Sequence, residues 1–276
     1  MKYIYVLILH IILVCNVHAA EIEFLPPKNL FDAPIADPRW PKFLVGIGHD
    51  FKGNLGKTLW TFNLGENIGL AEFGNKRSPF EIGIQAAAFS LMDIGSMPTK
   101  LVNADYFVAL GLSHRRNDFQ YLFQLSHVSS HVGDEFLLSE AGQTFDRINL
   151  SYETIKCFVR YKSDISLSPY MVIGYIFHVD PAPLKRLSFA GGLDYFSNRI
   201  VFKNSTRLIA GAFANAWQEN NYQPTITVRV GLQYERTKYC NRYLQILLQY
   251  KVGKSQQGQF YNRDIQQVGV VVAFSS

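Results

Sequence analysis

Thr225-Ile226-Thr227-Val228-Arg229-Val230-Gly231-Leu232-Gln233-Tyr234-Glu235 alternates between two kinds of residue without a break. In an extended chain Ile226, Val228, Val230, Leu232 and Tyr234 share one face, and Thr225, Thr227, Arg229, Gly231, Gln233 and Glu235 share the other. Two later stretches repeat the rule. Leu244, Ile246, Leu248, Tyr250 and Val252 oppose Gln245, Gln249 and Lys251. Val268, Val270, Val272 and Phe274 oppose Gln267, Gly269, Val271 and Ala273. Segments of about ten residues with one oily and one wet face are the strands of a transmembrane β-barrel, whose outside meets lipid and whose lumen is polar.

Working outward from these strands, the first residues read as a leader. Lys2 supplies a positive start, Ile4 to Val14 is mostly apolar, and Val17-His18-Ala19 offers small residues for cleavage. Residues 1–20 are therefore expected to be a signal peptide. No later segment holds about eighteen consecutive apolar residues, so a transmembrane helix is not expected. The 15 Tyr and 21 Phe suit membrane–water interfaces. Residues 21–42 carry Pro26, Pro27, Pro34, Pro38 and Pro41 and exclude a central strand. They read as a short Pro-rich N-terminal periplasmic arm or a plug-like lead-in.

Residues 43–276 divide into about twelve antiparallel strands, near 43–50, 57–72, 79–92, 104–114, 117–130, 148–161, 165–178, 187–196, 207–216, 223–235, 242–252 and 264–275. The fold class is all-β. Tight polar turns such as Arg115-Arg116-Asn117 alternate with longer connections such as 132–147 and 253–264. That is the habit of barrels with short periplasmic turns and longer outer loops. A change of phase within 148–161 predicts a β-bulge near Glu153. The closing Gln267-Val268-Gly269-Val270-Val271-Val272-Ala273-Phe274 resembles the terminal signal read by the bacterial barrel-insertion machinery.

The net charge is +5, but the basic residues are scattered and follow a leader, which argues against nucleic acid. Outer-membrane lipid and lipopolysaccharide are the expected partners, in the bacterial outer membrane of a Gram-negative envelope. No cofactor is expected. Cys157 and Cys240 remain after leader cleavage, and their pairing is left open.

The densest polar cluster is Leu125-Ser126-His127-Val128-Ser129-Ser130-His131-Val132-Gly133-Asp134-Glu135. Phe119, Tyr121, Phe123 and Leu125 are apolar at odd positions. The same parity puts His127, Ser129 and His131 on the lipid side, where polar groups are costly without a role. His-x-Ser on an outer face suits an acyl hydrolase: His127 as base, Ser129 as nucleophile, Glu135 or Glu140 orienting the imidazole. The motif resembles that of outer-membrane phospholipase A and the lipid A deacylases, with Ser130 where the deacylases have asparagine. Two alternatives stay open. The histidines stand in an interfacial belt, or His127, His131, Asp134 and Glu135 bind a metal at a spacing that matches no specific pattern. Glu81, Lys156, Arg160, Arg229, Glu235 and Lys251 are expected in the lumen, as packed ion pairs or as the lining of a narrow pore.

Segments 35–41, 103–108, 129–136, 147–153 and 258–261 together resemble domain-of-unknown-function family 1207. Ser129-Ser130-His131-Val132-Gly133-Asp134-Glu135 is the most specific part. The resemblance implies an envelope protein of Gram-negative bacteria and no activity. The leading functional expectation is a structural or ligand-interacting barrel at the cell surface, followed by a lipid acyl hydrolase and then a narrow pore.

Overall fold

The computed structural model describes residues 22–275, apart from 144, 149, 163–165, 182–183, 202–204 and 240–241. The expected leader and Cys240 lie outside the described residues. A short strand β1 (Glu23–Phe24) precedes twelve long ones: β2 (Phe43–Asp50), β3 (Thr58–Asn75), β4 (Ser78–Asp93), β5 (Lys100–Arg116), β6 (Phe119–Val132), β7 (Ser151–Tyr161), β8 (Leu167–Asp180), β9 (Leu187–Val201), β10 (Thr206–Trp217), β11 (Pro224–Tyr239), β12 (Arg242–Lys254) and β13 (Asp264–Ser275). Each of the twelve pairs antiparallel with the next, and β13 pairs back onto β2, with Val272 opposite Val45. The sheet is thus a closed cylinder with no open edge along its wall. β3 runs on past the start of β2, and β1 pairs with that overhang at Ala71 and Glu72.

The two faces are inverted relative to a water-soluble protein. Ile226, Val230, Leu232, Ile246, Leu248, Tyr250, Val268 and Val270 are exposed on the outside, while Thr227, Arg229, Gln233 and Gln245 are buried within. Among the described residues no helix is long and apolar enough to cross a membrane, and the strands carry the apolar surface instead. At the end bearing the tight turns, aromatic rings form a row around the wall. Phe73, Phe80, His114, Tyr121, Phe119 and Tyr161 contact in succession, with centroid distances of 4.1–6.2 Å. Rings with polar tips favour the lipid–water boundary, so this row marks one rim of the apolar band.

The lumen is occupied by chain. The Pro-rich segment enters at the tight-turn end, loops through the interior and returns there to start β2. Phe31, Ala33, Ala36 and Trp40 pack against Leu122, Phe158, Tyr170, Val172 and Phe213 from the inner wall. These wall residues break the polar rule of the inner face, and the plug is the reason: they give its apolar side chains a dry surface. Its backbone is held by wall side chains, since a proline-rich loop cannot satisfy itself by pairing. The Ile35 amide donates to Asp194 (3.1 Å), the Ile35 carbonyl accepts from Arg229 (2.8 Å), and the Asp32 amide donates to Gln120 (3.1 Å). Arg160 and Asp194 form a fully buried ion pair at 2.8 Å. The Arg160 guanidinium also lies 4.7 Å from the Tyr170 ring and 5.5 Å from the Phe31 ring, which accept the charge its remaining donors leave over. Residues 30–42 lie inside the barrel against its inner wall.

The predicted phase change is corrected in its details. Tyr152 faces inward with Thr154, Lys156, Phe158 and Arg160, so β7 keeps one phase throughout. The register does shift at Glu153/Thr154, but against β8: Glu153 pairs with His178 and Thr154 with Ile176. The extra residue is Phe177, on the neighbouring strand. Glu81, Arg160, Arg229 and Lys251 are buried as expected, and the Glu235 side chain lies outside the description.

Candidate functional site

The alternation of β6 splits the polar motif between two compartments. Odd residues His127, Ser129 and His131 project outward, and even residues Ser126, Val128, Ser130 and Val132 are buried inside. All lie in the half of the barrel toward the long loops.

On the outer face the strand register brings a carboxylate from β7 beside His127. His127 pairs with Glu153, which pairs with His178 of β8. The Nδ1–H of His127 donates to one Glu153 oxygen at 2.7 Å, and that of His178 donates to the other at 2.5 Å. Both bonds require a proton on Nδ1 and so fix the hydrogen-bonding roles of the two rings. Next along β6, the Ser129 hydroxyl lies 2.9 Å from Nε2 of His131. The His131 ring packs edge-on against Tyr106 of β5 at 5.6 Å. Ser129 therefore stands between two histidines on one face, one bonded to its hydroxyl and the other bonded to a carboxylate.

Glu135 and Glu140 do not take the orienting role. Both are exposed in the loop after β6, in the short helices Asp134–Leu137 and Glu140–Gln143, and the carboxylate bonded to His127 is Glu153. Sequence reasoning missed Glu153 because it lies across a long loop, and only the β6–β7 register puts it opposite His127. Asp134 is exposed with Glu135, and among the described residues no cluster of His, Cys, Asp or Glu is arranged to hold a metal. Cys157 is a free, exposed thiol on the outer face.

Inside, Ser130 belongs to a second network. Its hydroxyl donates to Asp105, a fully buried carboxylate on β5. Asp105 also accepts from Arg39 of the plug (2.7 Å), Asn103 (2.8 Å) and the Gly258 amide (3.0 Å). Gln259 donates to the carbonyls of Ser130 (2.8 Å) and Ile148 (2.6 Å). A Cβ on Gly258 would collide with the Ser130 hydroxyl, so this approach requires glycine. Phe260 is buried against Phe136 and Phe145, which folds the 255–263 loop over the mouth instead of displaying it. Arg39, Asp105, Ser130, Ile148 and Gly258 come one from each of the five segments whose sequences carry the family resemblance. Those segments are scattered along the chain and converge at this one place.

Known proteins match at two levels. Among solved structures, outer membrane phospholipase A from Escherichia coli aligns with a TM-score of 0.59 at 14% identity, covering 87% of this chain and 91% of that one. The Salmonella typhi outer membrane phospholipase, solved as a dimer with bound calcium, aligns with a TM-score of 0.57 at 15% identity, covering 89% and 94%. Likeness at this identity establishes a shared outer-membrane-type barrel fold. No curated protein matches the sequence. The model of one family does, over residues 13–275, and the chain accordingly belongs to the family described as "Protein of unknown function (DUF1207)".

Proposed function

We propose that this protein is an outer-membrane acyl hydrolase that works on lipid from the outside of its barrel, with Ser129 as nucleophile. The observation that carries the reading is the Ser129 hydroxyl 2.9 Å from Nε2 of His131, on an apolar outer face beside the His127–Glu153–His178 row. A hydroxyl bonded to an imidazole nitrogen is the ground state for nucleophilic attack on an ester. The surroundings suit a lipid. Tyr106, Val108, Phe123 and Leu125 flank the cluster on β5 and β6 and are exposed, forming an oily track along which an acyl chain can lie.

In this scheme the serine proton passes to the bonded imidazole, His131, as Oγ forms a bond to the acyl carbon. The ester C–O bond then breaks, and the leaving alcohol takes the proton back. Water attacks the acyl-serine in the second half, releasing the fatty acid and restoring the hydroxyl. The sequence reading gave the base role to His127, whereas the bond found runs to His131. The strand amides around Ser129 are spent in the β-ladder. The donor for the oxyanion therefore has to be a side chain. His127 stands on the same outer face and offers such a donor when both of its ring nitrogens carry protons.

Purified protein in mixed micelles should release fatty acid from phospholipid. Ser129→Ala should lower the rate by about 10⁴-fold, and His131→Ala by about 10²–10⁴-fold. Release that survives Ser129→Ala unchanged removes the hydrolase. The pore reading is disfavoured by the plug. The surface-ligand reading keeps one supporting feature, a cavity of about 140 Å³ beneath the long loops, lined by Trp217, Asn220 and Tyr261.

A further inference from the structure

A small chamber lies in the lumen between the plug and the wall. Its volume is about 20 Å³, and its lining includes Pro38 and Arg39 of the plug, Arg229 of β11, Gln249 and Lys251 of β12 and Gln267 of β13. A single buried water needs roughly 10–15 Å³, so the space suits one particle of water size or slightly larger.

The charges around it are of one sign. Arg39, Arg229 and Lys251 line it, and among the described residues no carboxylate does. Arg39 is paired with Asp105. Lys251 is 8% exposed and makes no hydrogen bond or ion pair with any described residue. Arg229 is 1% exposed. Its Nε donates to Gln249 at 2.9 Å and its Nη1 to the Ile35 carbonyl, while Nη2 has no partner among the described residues. Arg160 also has an unpartnered Nη2, but that atom is sealed by its neighbours, whereas Lys251 Nζ and Arg229 Nη2 keep open space before them. The carboxylates within electrostatic reach of Lys251 are Asp50 and Asp37. Asp50 Oδ1 accepts the Lys52 and Gln266 amides, Asp37 Oδ1 accepts the Arg39 amide, and neither residue lines the chamber.

A buried charge without an opposite one is costly. A lysine escapes that cost by losing its proton, but an arginine cannot. The chamber therefore stays cationic in either state of Lys251. A particle that accepts hydrogen bonds and carries negative charge offsets this better than water does. We propose that the chamber binds one small monovalent inorganic anion of the halide class, held by Lys251 Nζ and Arg229 Nη2. Such an anion ties the plug to the wall, because Arg229 also holds the Ile35 carbonyl and Arg39 comes from the plug itself. The inference stands independently of Ser129, which faces the opposite side of the wall.

The test refolds the full barrel from urea into detergent micelles at rising sodium bromide, with sodium gluconate, too large for the chamber, holding the ionic strength constant. The urea midpoint of the wild type should rise with bromide and saturate. At a hundred times the half-saturating concentration, the folded-to-unfolded ratio should stand about a hundredfold above that in gluconate. Lys251→Met should lose the response and, without the uncompensated charge, should match or exceed the wild type in gluconate. Lys156→Met, at an inner-wall lysine outside the chamber, should keep the response. A midpoint that ignores bromide overturns the proposal, as does a rise that Lys251→Met shares in full. Should Lys251→Met fail to fold, the wild type decides alone: a saturable rise supports the site, and a flat or strictly linear one overturns it. Ser129→Ala should respond as the wild type does, which separates this outcome from failure of the hydrolase reading.

Discussion

Asp194 shows how much one residue carries inside this barrel. Its carboxylate is paired with Arg160 at 2.8 Å and accepts the Ile35 amide, and all three groups are buried. Removing one member of a buried pair leaves the other charged and dry, which is worse than never having had the pair. Asp194→Ala should therefore destabilise the folded barrel by roughly 3–5 kcal/mol, checked by urea titration of protein refolded in lipid vesicles. An unchanged midpoint would mean that water reaches Arg160. At the same scale, Glu153 explains why the motif was only partly legible. His127, Ser129 and His131 fall on the outer face by parity alone, which any reader of alternate residues can see. Their hydrogen-bond partners depend on which residue of β7 or β8 stands alongside, and that is a matter of register.

The element that most changes the picture is the Pro-rich segment. Its anchoring to the inner wall predicts that deleting residues 29–40 turns a closed barrel into a conducting one. Planar-bilayer recording should show no steady current for the intact protein and ohmic steps for the deletion. Steady conductance in the intact chain would mean that the plug leaves the lumen. Its anchoring also depends on pH. Burial pushes the Asp32 carboxyl up, but the Lys162 and Lys28 ammonium groups and the hydrogen bonds from Lys162 and Gln120 outweigh it and hold it down at about 2. A carboxyl depressed in the folded state stabilises above its unfolded value and loses that contribution as the pH falls through the folded value. Plug attachment should therefore weaken between about pH 4 and pH 2. Protease access to the segment should rise in that window, and Asp32→Asn should flatten the rise.

For the whole molecule the solvent is the question. Leu248 is 66% exposed in the middle of β12, and a water-facing leucine could be made arginine at almost no cost. In hydrocarbon the same change should cost about 2–4 kcal/mol near the midplane, falling toward the rims. Leu248→Arg measured against the same change at Phe43, beside the tight-turn end, should show that gradient in vesicles. Equal small effects at both positions would mean that the outer surface is not lipid-facing.

Alternation alone settled the architecture. A period of two over ten-residue segments assigns each side chain to a face, and twelve such segments with alternating short and long links close into one cylinder. The places of the strands follow because turn residues and loss of alternation mark them locally, although β5, β9 and β11 run up to five residues beyond the ranges read from the sequence. Leu122, Phe158, Val172 and Phe213, apolar on the wet face, were the trace of the plug in the chain, but each reads alone as a minor breach of pattern. Only the folded barrel sets them around Phe31 and Trp40. The same holds for the His127–Glu153 bond, the Asp105 network that gathers five distant segments, and the cavity beside it. Facing is a local property of the backbone, whereas partnership between residues far apart in sequence is fixed by register and closure, which no single segment encodes.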